Sequence, residues 1–292
     1  MAQLDSDPQD RPRATTATVD ALLMPALKSL GRARDHQPTP GLVDLGTSPR
    51  TGFTDLDHLT LGLHPGELWV VTGRSGAGKS VFALDVARSA SVTGGARTAI
   101  VQSRDAPNDL ALRLLSAQGR VPLLHLRNQN LAPADWKRVD TVLNDCSTAP
   151  LTLTHVDFPR TALTTAAGML DVAAVVLAEQ RPRLLIVDDL PASTAPAQLM
   201  ELKEQAADTG ACLLVVISEE SSRPMFEIER DSALVADVIL QISRDHELPP
   251  GDMGPRAGEA DFLVLRNRHG PISCITVAFQ GHYCRFVDMT PG

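Results

Sequence analysis

The amino-acid sequence predicts an α/β fold with a mostly parallel central sheet flanked by helices and a C-terminal β-hairpin. Short, continuous apolar runs occur at 68–71 (LWVV), 184–187 (LLIV) and 212–217 (CLLVVI). Runs of this kind are typical of strands that are covered on both faces. Segments with apolar residues three or four positions apart alternate with them, as expected for helices that connect parallel strands.

The chain of 292 residues divides into an N-terminal extension and one large domain. We expect a disordered polar tail over residues 1–15, an amphipathic helix over 16–34, a linker over 35–50 and a compact domain over 51–292. The helix would bury its apolar stripe either on its own domain or on a neighbouring subunit. The stripe consists of Val19, Leu22, Leu23, Leu27 and Leu30.

The large domain alternates strands and helices, with an irregular stretch before its last three strands. The predicted elements are strand 67–73, helix 79–91, strand 98–103, helix 107–118, helix 133–145, strand 151–155, helix 162–179, strand 183–188, helix 197–208, strand 211–218, strand 237–242 and a hairpin of 260–268 with 273–287.

Composition limits the possible functions. The chain carries 27 basic and 35 acidic residues, a net charge of −8, so it can bind nucleic acid only through a local basic channel. Its four cysteines form no C-x-x-C pair, and its eight histidines show no metal-ligand spacing. It has neither an apolar run of 18 residues nor a signal-like N-terminus. We therefore expect reduced thiols, no membrane segment and a cytoplasmic location.

One segment matches the phosphate-binding pattern G-x-x-x-x-G-K-[ST]. In such a loop, glycines let backbone N–H groups surround phosphate oxygens, and the following helix adds its positive N-terminal dipole. Lys79 would contact the β- and γ-phosphates, and the Ser80 hydroxyl would ligate Mg²⁺. The segment therefore predicts a site for ATP and Mg²⁺. Its residues are Gly73, Arg74, Ser75, Gly76, Ala77, Gly78, Lys79 and Ser80.

A carboxylate partner for this loop follows the predicted strand 183–188. That strand ends in two acids, Asp188 and Asp189. An acid at a strand end beside a phosphate loop can hold Mg²⁺ through water. We assign this role to Asp188 and regard Asp189 as its flanking acid.

Several further segments share the pattern of a known family. They are 51–60 (TGFTDLDHLT), 62–68 (GLHPGEL), 110–115 (LALRLL), 131–136 (LAPADW), 260–271 (ADFLVLRNRHGP) and 278–288 (AFQGHYCRFVD). Together with the phosphate loop, they resemble the RecA-like motor domain of the DnaB replicative helicases. The resemblance covers about residues 16–288, and we expect the N-terminal collar domain of that family to be missing.

The resemblance implies a RecA-like P-loop ATPase in a homo-oligomeric, hexameric ring, with ATP at each subunit boundary and single-stranded DNA in the channel. The predicted helix 16–34 lies where that family has its linker helix. In the family, a Lys-x-Arg in the terminal hairpin reaches the neighbour's nucleotide, and the matching residues here are Arg266 and Arg268. An arginine supplied in this way stabilises charge in the phosphoryl-transfer transition state.

Two positions depart from the family's catalytic pattern. Where the family has a glutamate that orients the attacking water, this chain has Arg104 followed by Asp105. Arginine stays protonated and cannot act as a base. Where the family has a glutamine that senses the γ-phosphate, this chain has Glu219. Asp105 or Glu219 would then have to activate the water.

The loops that would face a central channel carry little basic charge. The segment 190–196 is short and uncharged, and 219–231 has five acids against two arginines. Surfaces that follow a phosphate backbone need lysine, arginine or backbone N–H groups. Binding of single-stranded DNA is therefore possible, but the loops do not favour it.

Two functions remain open on this basis. The first is a DnaB-like helicase motor that couples ATP hydrolysis to translocation along single-stranded DNA. The second is a hydrolysis-impaired ATP-binding switch, loader or adaptor that keeps the helicase fold without unwinding. The terminal hairpin argues against a third possibility, a recombinase-type or clock-type RecA relative.

Overall fold

A computed structural model describes residues 13–23, 49–157, 166–218, 224–244 and 256–289. The strands are β1 Arg13–Thr18, β2 Leu68–Thr72, β3 Thr98–Gln102, β4 Leu151–Asp157, β5 Leu184–Pro191, β6 Cys212–Ser218, β7 Val238–Ser243, β8 Glu259–Asn267, β9 Ser273–Gln280 and β10 Arg285–Asp288. The helices are α1 Thr54–Thr60, α2 Lys79–Arg88, α3 Pro107–Gly119, α4 Leu123–Arg127, α5 Pro133–Cys146, α6 Ala166–Gln180, α7 Pro196–Thr209 and α8 Met225–Ser232.

The strands form one sheet in the order β1-β4-β3-β5-β6-β2-β7-β8-β9-β10. The central six, from β4 to β7, are parallel. At one edge β1 is antiparallel to β4, and at the other β8, β9 and β10 continue as an antiparallel extension. The mostly parallel sheet and the C-terminal hairpin are thus confirmed.

Both faces of the sheet are covered, which explains the continuous apolar runs. Every residue of β2 and β3 is buried. Trp69 and Val71 belong to the core that contains α2, α3 and α5, whereas Leu68 and Val70 belong to the core that contains α6, α7 and α8. Successive side chains of a strand point to opposite faces, so one short run supplies both cores.

The N-terminal extension differs from the sequence prediction. Residues 13–18 form β1, so the disordered tail is wrong for 13–15 and the helix is wrong for 16–18. These residues are rich in β-branched threonine, which favours a strand, and the hydroxyls of Thr16 and Thr154 lie 2.7 Å apart across the pair. Helix is found at 19–23, with Leu23 fully buried. The rest of the predicted helix and linker, 24–48, lies outside the described residues.

Two other regions also differ. The stretch predicted to be irregular before β7 contains helix α8. The last predicted strand, 273–287, is two strands, because a 3₁₀ turn at Gly281–Tyr283 and a left-handed Cys284 (φ 51°) reverse the chain between β9 and β10. Within the described segments, no helix combines the length and apolarity needed to cross a membrane.

Candidate nucleotide-binding site

The predicted phosphate loop lies between the carboxyl end of β2 and the first turn of α2. Two of its glycines are required by the backbone. Gly73 has φ +142°, and a Cβ there would lie 2.5 Å from the Ile242 carbonyl oxygen. Gly78 has φ +104°, and a Cβ there would lie 2.6 Å from the Phe286 ring. The loop is therefore pressed against both β7 and β10, and only glycine suits these positions.

Lys79 is the first residue of α2, and its side chain returns to the loop. Its Nζ donates hydrogen bonds to the carbonyl oxygens of Gly73 at 2.6 Å and Arg74 at 3.1 Å. The residue is 9% exposed. The ammonium group is thus positioned at the helix N-terminus, where the backbone dipole already favours an anion.

Ser80 and Asp188 meet beside the loop. The Ser80 hydroxyl donates to Asp188 Oδ1 at 3.2 Å. Burial raises the pKa of Asp188 to about 6; the Ser80 hydrogen bond and the charge of Arg104 oppose this shift, and Asp189 adds to it. A hydroxyl and a carboxylate are the oxygen donors that Mg²⁺ prefers. This pair fits a magnesium site.

The two acids at the end of β5 share this region because the strand is irregular there. The pairing of β5 with β6 shifts register between Val187 and Leu190, and Asp189 has φ +76°. This bulge redirects consecutive side chains that a regular strand would send to opposite faces. The Asp189 carboxylate accepts hydrogen bonds from Arg104 and Ser218.

Arg104 therefore joins three neighbouring strand ends. It follows β3, its partner Asp189 belongs to β5, and Ser218, to which it donates at 3.2 Å, ends β6. These strands are adjacent in the sheet. The resemblance predicts that Arg104 occupies the place of the water-orienting glutamate, but no feature of the sequence indicates the bond to Asp189.

Asp105, the first of the two predicted water-activating acids, is held by its own surroundings. Its carboxylate accepts a hydrogen bond from Arg113 of α3 at 3.1 Å. Its backbone N–H donates to Gln102 Oε1 at 2.8 Å. Glu219, the other predicted acid, lies outside the described residues, and so its role stays a prediction.

A cavity of about 220 Å³ opens beside these groups. Arg244, at the end of β7, lies 3.6 Å over the Phe279 ring and donates to the Gly76 carbonyl at 3.3 Å. Sequence reasoning gave a role to neither residue: Arg244 belongs to no motif, and Phe279 was noted only as part of the family-like segment 278–288. The cavity is lined by Ser75, Gly76, Gly78, Lys79, Ser80, Val81, Arg104, Arg113, Ser218 and Phe279.

Arg268 lies at the amino ends of the parallel strands, whereas the phosphate loop lies at their carboxyl ends. Its guanidinium donates to Asp237 Oδ1 at 3.0 Å, and its backbone N–H donates to the Asp237 carbonyl at 3.0 Å. Asp237 immediately precedes β7, whereas the phosphate loop follows β2, the parallel neighbour of β7. The five residues of β2 separate these two ends by about 16 Å at ~3.3 Å per residue. Arg266, on β8 opposite Ile239, is exposed at the same amino ends of the parallel strands.

The surroundings of Asp237 hold the turn that carries Arg268. Burial alone would raise the pKa of Asp237, but hydrogen bonds from Lys203, the Leu68 N–H and Arg268 together hold it below its usual range. The Lys203 contact is 2.7 Å long. The side chain of Arg268 nevertheless remains 68% exposed, so it is accessible to another molecule at the amino ends of the parallel strands.

Comparison with known proteins agrees with this geometry. Residues 49–288 match the family described as DnaB-like helicase C terminal domain. The replicative DNA helicase DnaB of Leifsonia xyli is 32% identical over 270 residues, which cover 84% of this chain and 57% of that protein. The corresponding helicase of Geobacillus stearothermophilus is 23% identical over 82% of this chain and 56% of its own length.

Similar solved structures share the fold. The ATPase domain of G40P has a TM-score of 0.65 at 17% identity, covering 94% of this chain and 99% of its own. A DnaB-like replicative helicase, described with its interactions with primase, has a TM-score of 0.64 at 16% identity, covering 92% of this chain and 68% of its own. The central domain therefore has a RecA-like ATPase fold.

The chain spans a little over half the length of the curated relatives it matches. The matching part is the C-terminal part that carries the phosphate loop, the strand-end acids and the terminal hairpin. On this basis, the chain belongs to the DnaB-like helicase C-terminal domain family.

Proposed function

We propose that this chain is the ATP-hydrolysing motor part of a homo-oligomeric ring, hexameric as in its family, that moves along single-stranded DNA. The observation that carries the proposal is the placement of Arg268 and the phosphate loop at opposite ends of the parallel strands. Head-to-tail contacts between identical subunits generate a ring when the rotation from one subunit to the next closes. In such a ring, the exposed Arg268 of one subunit meets the phosphate loop of the next.

Different side chains beside the cavity would bind ATP and Mg²⁺. Lys79 neutralises phosphate oxygens, and the Ser80 hydroxyl and the Asp188 carboxylate would hold Mg²⁺. When bound, the metal ion neutralises charge on the β- and γ-phosphates. Arg268 and Arg266 of the adjacent subunit then stabilise the charge that develops during phosphoryl transfer.

Activation of the attacking water is assigned to one of three acids. Asp105 and Glu219 are the acids that the sequence suggests, and Asp189, which is bonded to Arg104, is proposed beside them. Arg113 holds Asp105 in the conformation described. A substitution series of Asp105→Asn, Asp189→Asn and Glu219→Gln identifies the acid, since the essential one lowers turnover by about 10²-fold or more while ATP binding persists.

DNA would contact the ring through loops that carry little positive charge. The connection from Pro191 to Pro196 is tied by hydrogen bonds from Thr194 to the Pro191 carbonyl. Helix α8 presents an exposed Phe226 together with Glu227. Stacking on Phe226 and backbone N–H donors would therefore have to supply much of the contact.

The test is steady-state ATP hydrolysis by the purified chain, with and without single-stranded DNA. We expect DNA to stimulate turnover and Lys79→Ala to abolish it. Lys137→Ala, which removes an exposed lysine of α5, is the matched control and should behave like the native chain. Tight ATP binding without turnover, indifferent to DNA, would overturn the motor proposal and favour the ATP-binding switch.

A further inference from the structure

A second cluster of chemically active side chains lies at the amino ends of the parallel strands, away from the phosphate loop. His64 and Glu67 belong to the segment that leads into β2, and His269 belongs to the turn between β8 and β9. Each offers one ligand atom, and these three atoms lie within 4.8 Å of one another. Roughly two hundred residues separate His269 from the other two in sequence, so residue spacing gave no sign of the group.

The backbone holds the three side chains together. The Glu67 N–H donates to the His64 carbonyl at 3.2 Å, which closes a turn and puts both side chains on one side. The His269 N–H donates to Asn267 Oδ1 at 3.0 Å, and Asn267 Nδ2 donates to the Leu59 carbonyl at 2.9 Å. The β8–β9 turn is thereby fixed against the last turn of α1, which ends just before the segment that carries His64 and Glu67.

The glutamate is only partly satisfied by its neighbours. Glu67 is 6% exposed, and its Oε1 hydrogen-bonds to His269 Nε2. Its other oxygen, Oε2, is buried and has no hydrogen-bond partner among the described residues. A buried polar atom without a partner costs free energy, about 1–3 kcal/mol, so its presence calls for an explanation.

One of the two histidines makes a backbone contact of the kind that metal ligands commonly make. The rings of His64 and His269 lie with centroids 4.5 Å apart. His64 Nε2 lies 3.2 Å from the Thr60 carbonyl oxygen, which can only accept, so this nitrogen carries the proton. In metal sites, the second ring nitrogen of a histidine ligand usually donates to a carbonyl or carboxylate in this way. With this tautomer, Nδ1 is the nitrogen that His64 would turn toward a metal ion.

We propose that His64, Glu67 and His269 form a binding site for a divalent transition-metal ion, with Zn²⁺ as the expected occupant. Two imidazoles and one carboxylate suit Zn²⁺, whereas Mg²⁺ and Ca²⁺ take oxygen ligands. Ligands at ~2.1 Å from a tetrahedral ion lie about 3.4 Å apart, so small side-chain rotations complete the site. Zn²⁺ would take the place of the hydrogen on His269 Nε2, which water would carry to Nδ1 of the same ring, and a water molecule would take the fourth position.

Such an ion would bind the β8–β9 turn to the segment that leads into β2. His269 directly follows Arg268, so the ion would also restrict the arginine that we assign to the neighbouring active site. That consequence rests on the proposed function. The metal site itself does not, because its residues and their contacts are independent of ATP.

The test is Zn²⁺ binding by the chelator-treated full chain, followed by calorimetric titration and by thermal unfolding with and without Zn²⁺. We expect one Zn²⁺ per chain, a raised Tm, and no comparable effect of Mg²⁺. His64→Gln and His269→Asn should each weaken Zn²⁺ binding by at least tenfold. His64→Gln leaves the Glu67–His269 hydrogen bond in place and serves if the other variant fails to fold.

Two matched controls separate this site from adventitious binding. His282→Gln removes an exposed histidine elsewhere, and Cys274→Ser removes an exposed thiol on β9; both should bind Zn²⁺ like the native chain. Co²⁺ bound by nitrogen and oxygen also lacks the near-ultraviolet charge-transfer band of a thiolate site. Unchanged Zn²⁺ affinity in His64→Gln and His269→Asn, or the absence of a Tm shift in the native chain, would overturn the proposal. Neither readout depends on ATP hydrolysis, so failure of the motor proposal leaves it standing.

Discussion

Replacing Asp188 by asparagine should stabilise the protein while it impairs binding of Mg²⁺ and ATP. The carboxylate is buried beside Ser80, and burial raises its pKa from 3.8 to about 6. A raised pKa means that the ionised form is disfavoured in the folded state. Asparagine has the same shape, needs no ionisation and still accepts the Ser80 hydrogen bond.

The size of the effect follows from the pKa. Each pKa unit corresponds to about 1.36 kcal/mol, so at pH 8 the ionised carboxylate lowers the free energy of unfolding by about 3 kcal/mol. The folded state binds more protons than the unfolded state between pH 3.8 and about 6. As the pH falls through this window, protonation of Asp188 therefore removes its destabilising contribution to the native chain. The advantage of Asp188→Asn should fall to roughly half at pH 5 and vanish below pH 3.8.

The assay is urea unfolding of both proteins at pH 8 and pH 5 without Mg²⁺, followed by thermal unfolding with Mg²⁺ and ATP. Bound ligand stabilises only the protein that binds it. The native chain should gain stability from Mg²⁺ and ATP, and Asp188→Asn should gain much less. A variant that is less stable than the native chain at pH 8 would refute the electrostatic reasoning.

Two further predictions concern the same loop. Gly78→Ala should lower the free energy of unfolding by about 3 kcal/mol and weaken ATP binding, because both φ +104° and the Phe286 ring oppose a Cβ. The control Gly210→Ala, at φ +74° with nothing within 4 Å, should cost only about 1 kcal/mol; equal losses in urea unfolding would mean that the clash is absent. Affinity for Mg²⁺ and ATP should fall as the pH drops through about 6, and Arg104→Gln should move this midpoint upward because the Arg104 charge lowers the pKa of Asp188. A midpoint that stays in place or moves down, measured by calorimetry across pH, would show that Arg104 does not act on Asp188.

The central part of the fold could be predicted because its signals are local. The apolar runs of β2, β5 and β6 and the glycine spacing of the phosphate loop lie within a few residues of each other. The loop must sit between a buried strand and a helix to do its chemistry. The predicted bounds of these three strands agree with the observed ones to within one residue, except that β5 continues past Asp188 to Pro191. The helix after the loop begins at Lys79 as predicted but ends at Arg88 rather than at 91.

The remainder depends on contacts between distant parts of the chain. Residues 16–18 have helical apolar spacing around them, yet they pair with β4 because an edge strand offers unpaired backbone groups. The bond between Arg104 and Asp189 exists only because β3 and β5 are neighbours and β5 bulges. Likewise, the cluster around His269 forms only when the β8–β9 turn reaches the start of β2. No periodicity in the sequence indicates these contacts between distant residues.

The central claim is that each active site takes its phosphate loop from one subunit and Arg268 from the next. Lys79→Ala and Arg268→Ala should each be inactive as purified proteins. When the two variants are unfolded together and refolded as mixed rings, some boundaries pair the intact loop of an Arg268→Ala subunit with the intact Arg268 of a Lys79→Ala subunit. We predict that this mixture regains ATP hydrolysis, up to about a quarter of the native rate for equal amounts assembled at random, one boundary in four being complete. A mixture as inactive as its two components, in rings shown to contain both, would contradict the shared site.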